Sequence, residues 1–179
     1  MAKSLEELLM TEISRRNTDL VADLILIKPE LFDNLMVIYF QNLEPVSRRA
    51  VWVADTCSEK EPGLLESWVG KIIESLPRFS HDGLKRHSLR MISRSPLPRE
   101  QLGNLMNLCF DWLTSPKESV AVKVYCMEIL YDISQLEPDI RQELVDSIEW
   151  RMQEESPGFR ARGVKILRKL YAELRDLHS

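Results

Sequence analysis

Residues 119–154 read SVAVKVYCMEILYDISQLEPDIRQELVDSIEWRMQE, and the fold is decided by how this stretch repeats. Its first half carries Val122-Lys123-x-x-Cys126-Met127-x-Ile129-Leu130. The same spacing stands 38 residues earlier as Leu84-Lys85-x-x-Ser88-Leu89-x-Met91-Ile92, and 38 before that as Val46-Ser47-x-x-Ala50-Val51-x-Val53-Ala54. It returns 37 residues later as Phe159-Arg160-x-x-Gly163-Val164-x-Ile166-Leu167. At about 100° per residue the apolar positions form one stripe along a helix, with a small residue set into it where a neighbouring helix can approach closely. One such helix cannot bury its stripe alone, but stacked copies can, and a period of this length is that of a two-helix unit.

The second helix of each unit is announced by proline, whose missing N–H costs nothing in a first turn. Pro29 precedes Leu31, Leu35 and Tyr39; Pro62 precedes Leu64, Trp68 and Ile72; Pro96 and Pro98 precede Leu102, Met106 and Phe110; Pro138 precedes Ile140, Leu144 and Ile148. Each i, i+4, i+8 row is one helical face.

These units resemble HEAT repeats, modules of two antiparallel helices, over roughly residues 45–175. Phe159-Arg160 with Gly163 after Pro157 is close to the family's branched-apolar, Arg, small-residue pattern, and Val46-Ser47 departs from it by lacking the basic residue. The resemblance implies an all-α, right-handed superhelix of about four to five helix pairs, with second helices on the inner face. The expected organisation is one domain over 1–179: a capping repeat at 1–44, core repeats at 45–80, 81–116 and 117–156, and a capping helix at 157–179. Within the first repeat the pattern predicts a helix over 4–16 with a capping box at Ser4 and Glu7, and a break at Asn17-Thr18-Asp19. His81-Asp82 supplies the N-cap of the third pair. The last helix should turn a charged face (Arg162, Lys165, Lys169, Glu173) to solvent.

Composition narrows the function classes. At 44% hydrophobic and 29% charged residues, 179 residues can bury a continuous core and solvate their helix faces. The first residues are acidic and amphipathic, not the apolar core of a signal peptide, and no run approaches the ~18 apolar residues of a spanning helix. Cys57, Cys109 and Cys126 are odd in number, form no CxxC and fall on apolar faces, so they read as reduced core residues of a cytoplasmic protein. His81, His87 and His178 are scattered, without metal-ligand spacing. No phosphate-loop, nucleophile-elbow or dinucleotide motif is present, and no cofactor or metal is implied.

Charge alternates in blocks: −4 over 1–44, +4 over 45–99, −8 over 100–156 and +4 over 157–179. Two candidate partner-binding surfaces follow. Arg48, Arg49, Trp52, Arg86, Arg90 and Arg94 lie on the first helices of adjacent repeats, where stacking brings equivalent positions to about 10 Å. With Arg78 and Arg99 beside them they could hold phosphates, nucleic acid or an acidic protein; the plainer reading is a solvated face with counter-charges nearby. Glu143, Asp146 and Glu149, flanked by Asp139, Glu154 and Glu155, form an acidic block suited to a basic partner, or an ordinary polar face. The repeating basic position (Lys85, Lys123, Arg160) should be half-buried and paired across repeats, with Asp55, Asp82, Glu118 and Asp132 as candidate partners. The function expected is a non-enzymatic scaffold or adaptor binding another protein, with no membrane. Nucleic-acid or phosphate binding is the alternative. Alkylpurine DNA glycosylases, a HEAT-like family, are a remote third, echoed only by Asp111-Trp112.

Overall fold

The computed structural model describes residues 3–176, which separate into two compact units at Leu97 and Pro98. Helices are the only regular elements among the described residues. In the first unit these are α1 (Leu5–Leu9), α2 (Arg15–Ile27), α3 (Leu31–Phe40), α4 (Val46–Lys60), α5 (Val69–Ser75) and α6 (Asp82–Ser93). In the second they are α7 (Leu102–Thr114), α8 (Val120–Leu136), α9 (Arg141–Met152) and α10 (Pro157–Asp176).

Helix α4 is the centre of the first unit: α2, α3 and α6 all pack on it. It can do so because it is buried almost all round, from Ala50 and Val51 to Cys57 and Ser58. In the second unit α8 packs on α7, α9 and α10, and α10 lies against both α8 and α9. The small position of the repeat is buried in every copy: Ala50, Ser88, Cys126 and Gly163. At Gly163 a Cβ would stand 3.1 Å from Ile148 Cγ2 and 3.1 Å from Met152 Sδ, which shows the close approach between α10 and α9 that the pattern predicts. At the Ser88 copy the space is used by a hydroxyl. Ser88 Oγ donates to the Leu84 carbonyl at 2.5 Å, so it accepts from Tyr39 Oη, also at 2.5 Å.

Three expectations shift. The capping box forms, with Ser4 N donating to Glu7 Oε2 at 2.7 Å and Glu7 N to Ser4 Oγ at 3.2 Å, but the first helix stops at Leu9. Ser14 caps the next one through Asn17 N at 3.0 Å, which places Asn17, Thr18 and Asp19 inside α2. At the third pair the cap expected from His81-Asp82 narrows to His81, whose Nδ1 accepts from Gly83 N at 2.9 Å. Finally, three second helices open with a 3₁₀ turn at or just after their proline: Pro62–Leu65, Arg99–Gln101 and Pro138–Ile140. A 3₁₀ turn has about 3.0 residues per turn, so it rotates the face that follows. The core residues after Pro62 are therefore Leu65, Val69, Ile72 and Ile73, while Leu64 and Trp68 are half-buried.

Candidate functional site

Buried charge organises each unit. In the first, Asp55 of α4 is fully buried, and His87 and Arg90 of α6 converge on it with Arg94, the residue that caps α6. His87 Nδ1 lies 2.7 Å from Oδ2, Arg90 Nη1 donates to Oδ2 at 3.1 Å, and Arg94 Nη2 donates to Oδ1 at 2.5 Å. Arg94 also reaches Ser58 Oγ at 3.0 Å, and Arg90 reaches Glu59 at 3.1 Å. Burial alone pushes the Asp55 carboxyl up. The hydrogen bond and charge of His87, then Arg94 and Arg90, outweigh that and hold it below the usual carboxylate range. Trp52 stacks on the His87 ring, with centroids 6.2 Å apart and planes at 25°.

In this geometry Arg48, Arg49, Arg90 and Arg94 of the expected basic patch each have partners within the first unit. Arg90 and Arg94 are counter-charges for Asp55. Arg49 Nη1 donates to the Leu9 carbonyl at 3.1 Å, tying α4 to α1. Arg48 sits 3.4 Å from Glu44 and 3.0 Å from His81 Nε2. A neutral imidazole offers one acceptor nitrogen, and with Nδ1 accepting from the Gly83 amide the approach of Arg48 to Nε2 is a close contact and not a hydrogen bond. Arg86 is exposed.

The second unit has its own buried cluster. Lys123 Nζ donates to Glu155 Oε1 at 2.5 Å, Arg151 Nη2 donates to the same oxygen, and all three side chains are buried. Burial pushes the Glu155 carboxyl up, but the hydrogen bonds of Lys123 and Arg151 and then their charges hold it below its ordinary value. Arg160 Nε donates to the Glu155 carbonyl at 2.8 Å. The repeating basic position is thus paired between helices at Lys123. Its partner is Glu155, which the sequence placed in the exposed acidic block, and not Glu118 or Asp132. Where that position is Ser47, the hydroxyl is buried, donating to the Ile38 carbonyl at 2.6 Å and accepting from Leu43 N at 2.9 Å. On α10, Arg162, Lys169 and Glu173 turn towards α8. Arg162 lies 3.0 Å from Glu128, Lys169 sits over the Tyr131 ring at 4.9 Å, and Glu173 accepts from Tyr131 Oη at 2.7 Å.

The remaining acidic residues form a surface. Helix α9 buries Leu144, Val145, Ile148 and Arg151. Its other face presents Gln142, Glu143, Asp146, Glu149, Trp150 and then Gln153, all exposed, along roughly 16 Å of helix. Among the described residues no ion pair engages Glu143, Asp146 or Glu149: Asp146 accepts from Gln142 Nε2 at 2.8 Å, and Glu149 accepts from Tyr171 Oη. Trp150 is 56% exposed in this row. The sequence reading passed over it, although its angular position between Glu143 and Asp146 on a helical wheel was available.

The other candidates resolve plainly. Trp112 is a core residue and Asp111 is exposed, so the faint glycosylase echo does not form a site. His81 and His87 serve the contacts above, and His178 lies outside the described residues. Among the described residues no group of three or more His, Cys, Asp or Glu could hold a metal ion, and no helix is long and apolar enough to cross a membrane. All three cysteines are buried and free, as their apolar positions implied, and burial pushes the Cys57 thiol up to about 12.

A family model described as HEAT repeat domain matches residues 5–170. Nothing among curated proteins and nothing among solved structures matches the chain.

Proposed function

The chain belongs to the HEAT repeat family, and on that premise we propose that it is a non-enzymatic scaffold whose α9 face binds a basic segment of another protein. The observation that carries this reading is the row Glu143, Asp146, Glu149 and Trp150: three carboxylates without a counter-cation, with a large aromatic side chain exposed among them. An unpaired acidic row attracts Lys and Arg at long range and orients them. An exposed Trp supplies the apolar anchor around which binding energy concentrates. Selection would therefore be by charge and shape. The three buried, free thiols fit a reducing compartment, so we place the protein in the cytoplasm. Phosphate or nucleic-acid binding through the first unit is not favoured, because Arg90 and Arg94 are already held on Asp55.

The test is paired affinity capture from native lysate with and without nuclease, with the wild-type chain beside a Glu143→Lys, Asp146→Lys, Glu149→Lys variant. The reading expects discrete proteins retained by the wild type, lost by the variant and weakened by salt, since exposed charges are screened. Identical captured sets, or material that vanishes with nuclease, would sink it.

A further inference from the structure

Helix α2 is apolar on two opposite faces. One carries Val21, Ala22 and Ile25, buried where α2 packs on α4. The other carries Leu20 and Ile27, 60% and 78% exposed, with Leu24 half-buried between them at the i, i+4, i+7 spacing of a single stripe. An exposed apolar row of this kind marks an interaction surface. Ile13, just before the helix, is 68% exposed.

The charges beside the stripe indicate what covers it. Arg16 and Asp23 lie on the same flank, two turns apart and opposite in sign. Arg16 has no ion pair among the described residues, and Asp23 is held 2.7 Å from Lys60. A partner of one charge would match only one end of this flank. A second copy running antiparallel matches both.

We propose that this face of α2 is a self-association surface, on which α2 packs antiparallel against α2 of a second copy about a two-fold axis near Leu20. The arrangement is isologous: whatever one copy offers, the other receives. Leu20 meets its counterpart. Leu24 and Ile27 of each copy extend the contact along the stripe towards the first turn of the other copy's α2. Arg16 of each copy approaches the Asp23–Lys60 pair of the other on its acidic side. The contact is one short helix face, at the low end of interface sizes, so the dimer is weak and reversible with a micromolar Kd. It is independent of the α9 surface.

Sedimentation equilibrium of the full chain, from about 1 to about 300 µM, reads this directly. The expected result is a monomer–dimer equilibrium for the wild type. Leu20→Glu and Ile27→Glu replace exposed side chains, so each should keep the helical circular dichroism and melting temperature while remaining monomeric throughout. Arg16→Glu should raise the dimer Kd about tenfold. The charge reversal on α9 should leave the equilibrium unchanged. A wild-type monomer at every concentration overturns the proposal, as does a dimer that persists in Leu20→Glu and Ile27→Glu or is lost only when α9 is altered.

Discussion

Replacing Asp55 tests the architecture of the first unit at its most connected point. The carboxylate is fully buried and receives Arg94 at 2.5 Å, His87 at 2.7 Å and Arg90 at 3.1 Å. Breaking a buried ion pair costs about 3–5 kcal/mol, and a hydrogen bond to a charged group contributes about 1.5–3 kcal/mol. Arg90 and Arg94 keep nearly a third of their side chains exposed, so each regains water when its partner goes. That discount puts Asp55→Ala near the bottom of the range, at about 3 kcal/mol, and Asp55→Asn, which keeps one acceptor oxygen, at about 2 kcal/mol. For a chain of this length each kcal/mol lowers the Tm by about 2–4 °C, so Asp55→Ala should melt roughly 6–12 °C lower. The effect must also depend on pH with a definite sign. The folded-state pKa of Asp55 is depressed below its unfolded value of about 3.9, so its stabilisation is complete above about pH 5 and fades as pH falls through the folded pKa. Urea unfolding of wild type and Asp55→Asn at pH 7 and pH 3, followed by circular dichroism, measures both. A gap at pH 7 that narrows at pH 3 is expected. A variant within about 0.5 kcal/mol of wild type at pH 7 would refute the reasoning, because that is the ordinary range of a surface substitution.

In the second unit, Glu155→Gln leaves Lys123 buried without a counter-charge and Arg151 with only the exposed Glu154, 3.6 Å away, and should cost about 3 kcal/mol in urea unfolding, whereas Lys123→Met leaves Glu155 paired with Arg151 and should cost less. Gly163→Ala should gain less by thermal melt than the about 1 kcal/mol of its helix propensity, because its Cβ would press at 3.1 Å on the flexible Met152 side chain and at 3.1 Å on the stiffer, fully buried Ile148. Gly163→Leu should lose about 1–3 kcal/mol by overpacking α9 against α10. Cys57, Cys109 and Cys126 should be silent to a thiol reagent in the native protein and react together in denaturant, since all three are buried and the Cys57 thiol is pushed up to about 12.

Much of the fold was legible because the repeat fixes both period and phase. Ala50, Ser88, Cys126 and Gly163 could be placed at helix contacts from spacing alone, and each is buried. The second helices were less legible. A proline marks where they begin but not whether the first turn is α or 3₁₀, and that choice moves the core from Leu64 and Trp68 to Leu65 and Val69. The break before α2 falls ahead of Asn17-Thr18-Asp19 because the capping side chain is Ser14, which accepts from the Asn17 backbone N–H. The ionic clusters were the least legible. Arg94 reaches Asp55 across 39 residues and Lys123 reaches Glu155 across 32, and which partner is met depends on the rotation of two helices about their axes. Local spacing does not encode that rotation. The exposed acidic row of α9 was legible because it lies on one helix, where wheel angles are enough; Glu155, beyond the helix end, lies in the core instead.

The most direct test of the α9 reading is site-specific photo-cross-linking in native lysate, with the photoreactive residue placed at position 150 in one protein and at position 86 in another. Both sites are exposed, one on the acidic face and one within the basic patch of the first unit. The account predicts discrete protein adducts at position 150 that are competed by unlabelled wild type but not by the Glu143→Lys, Asp146→Lys, Glu149→Lys variant, with none at position 86. Adducts confined to position 86, or nucleic-acid adducts there with none at 150, would contradict it.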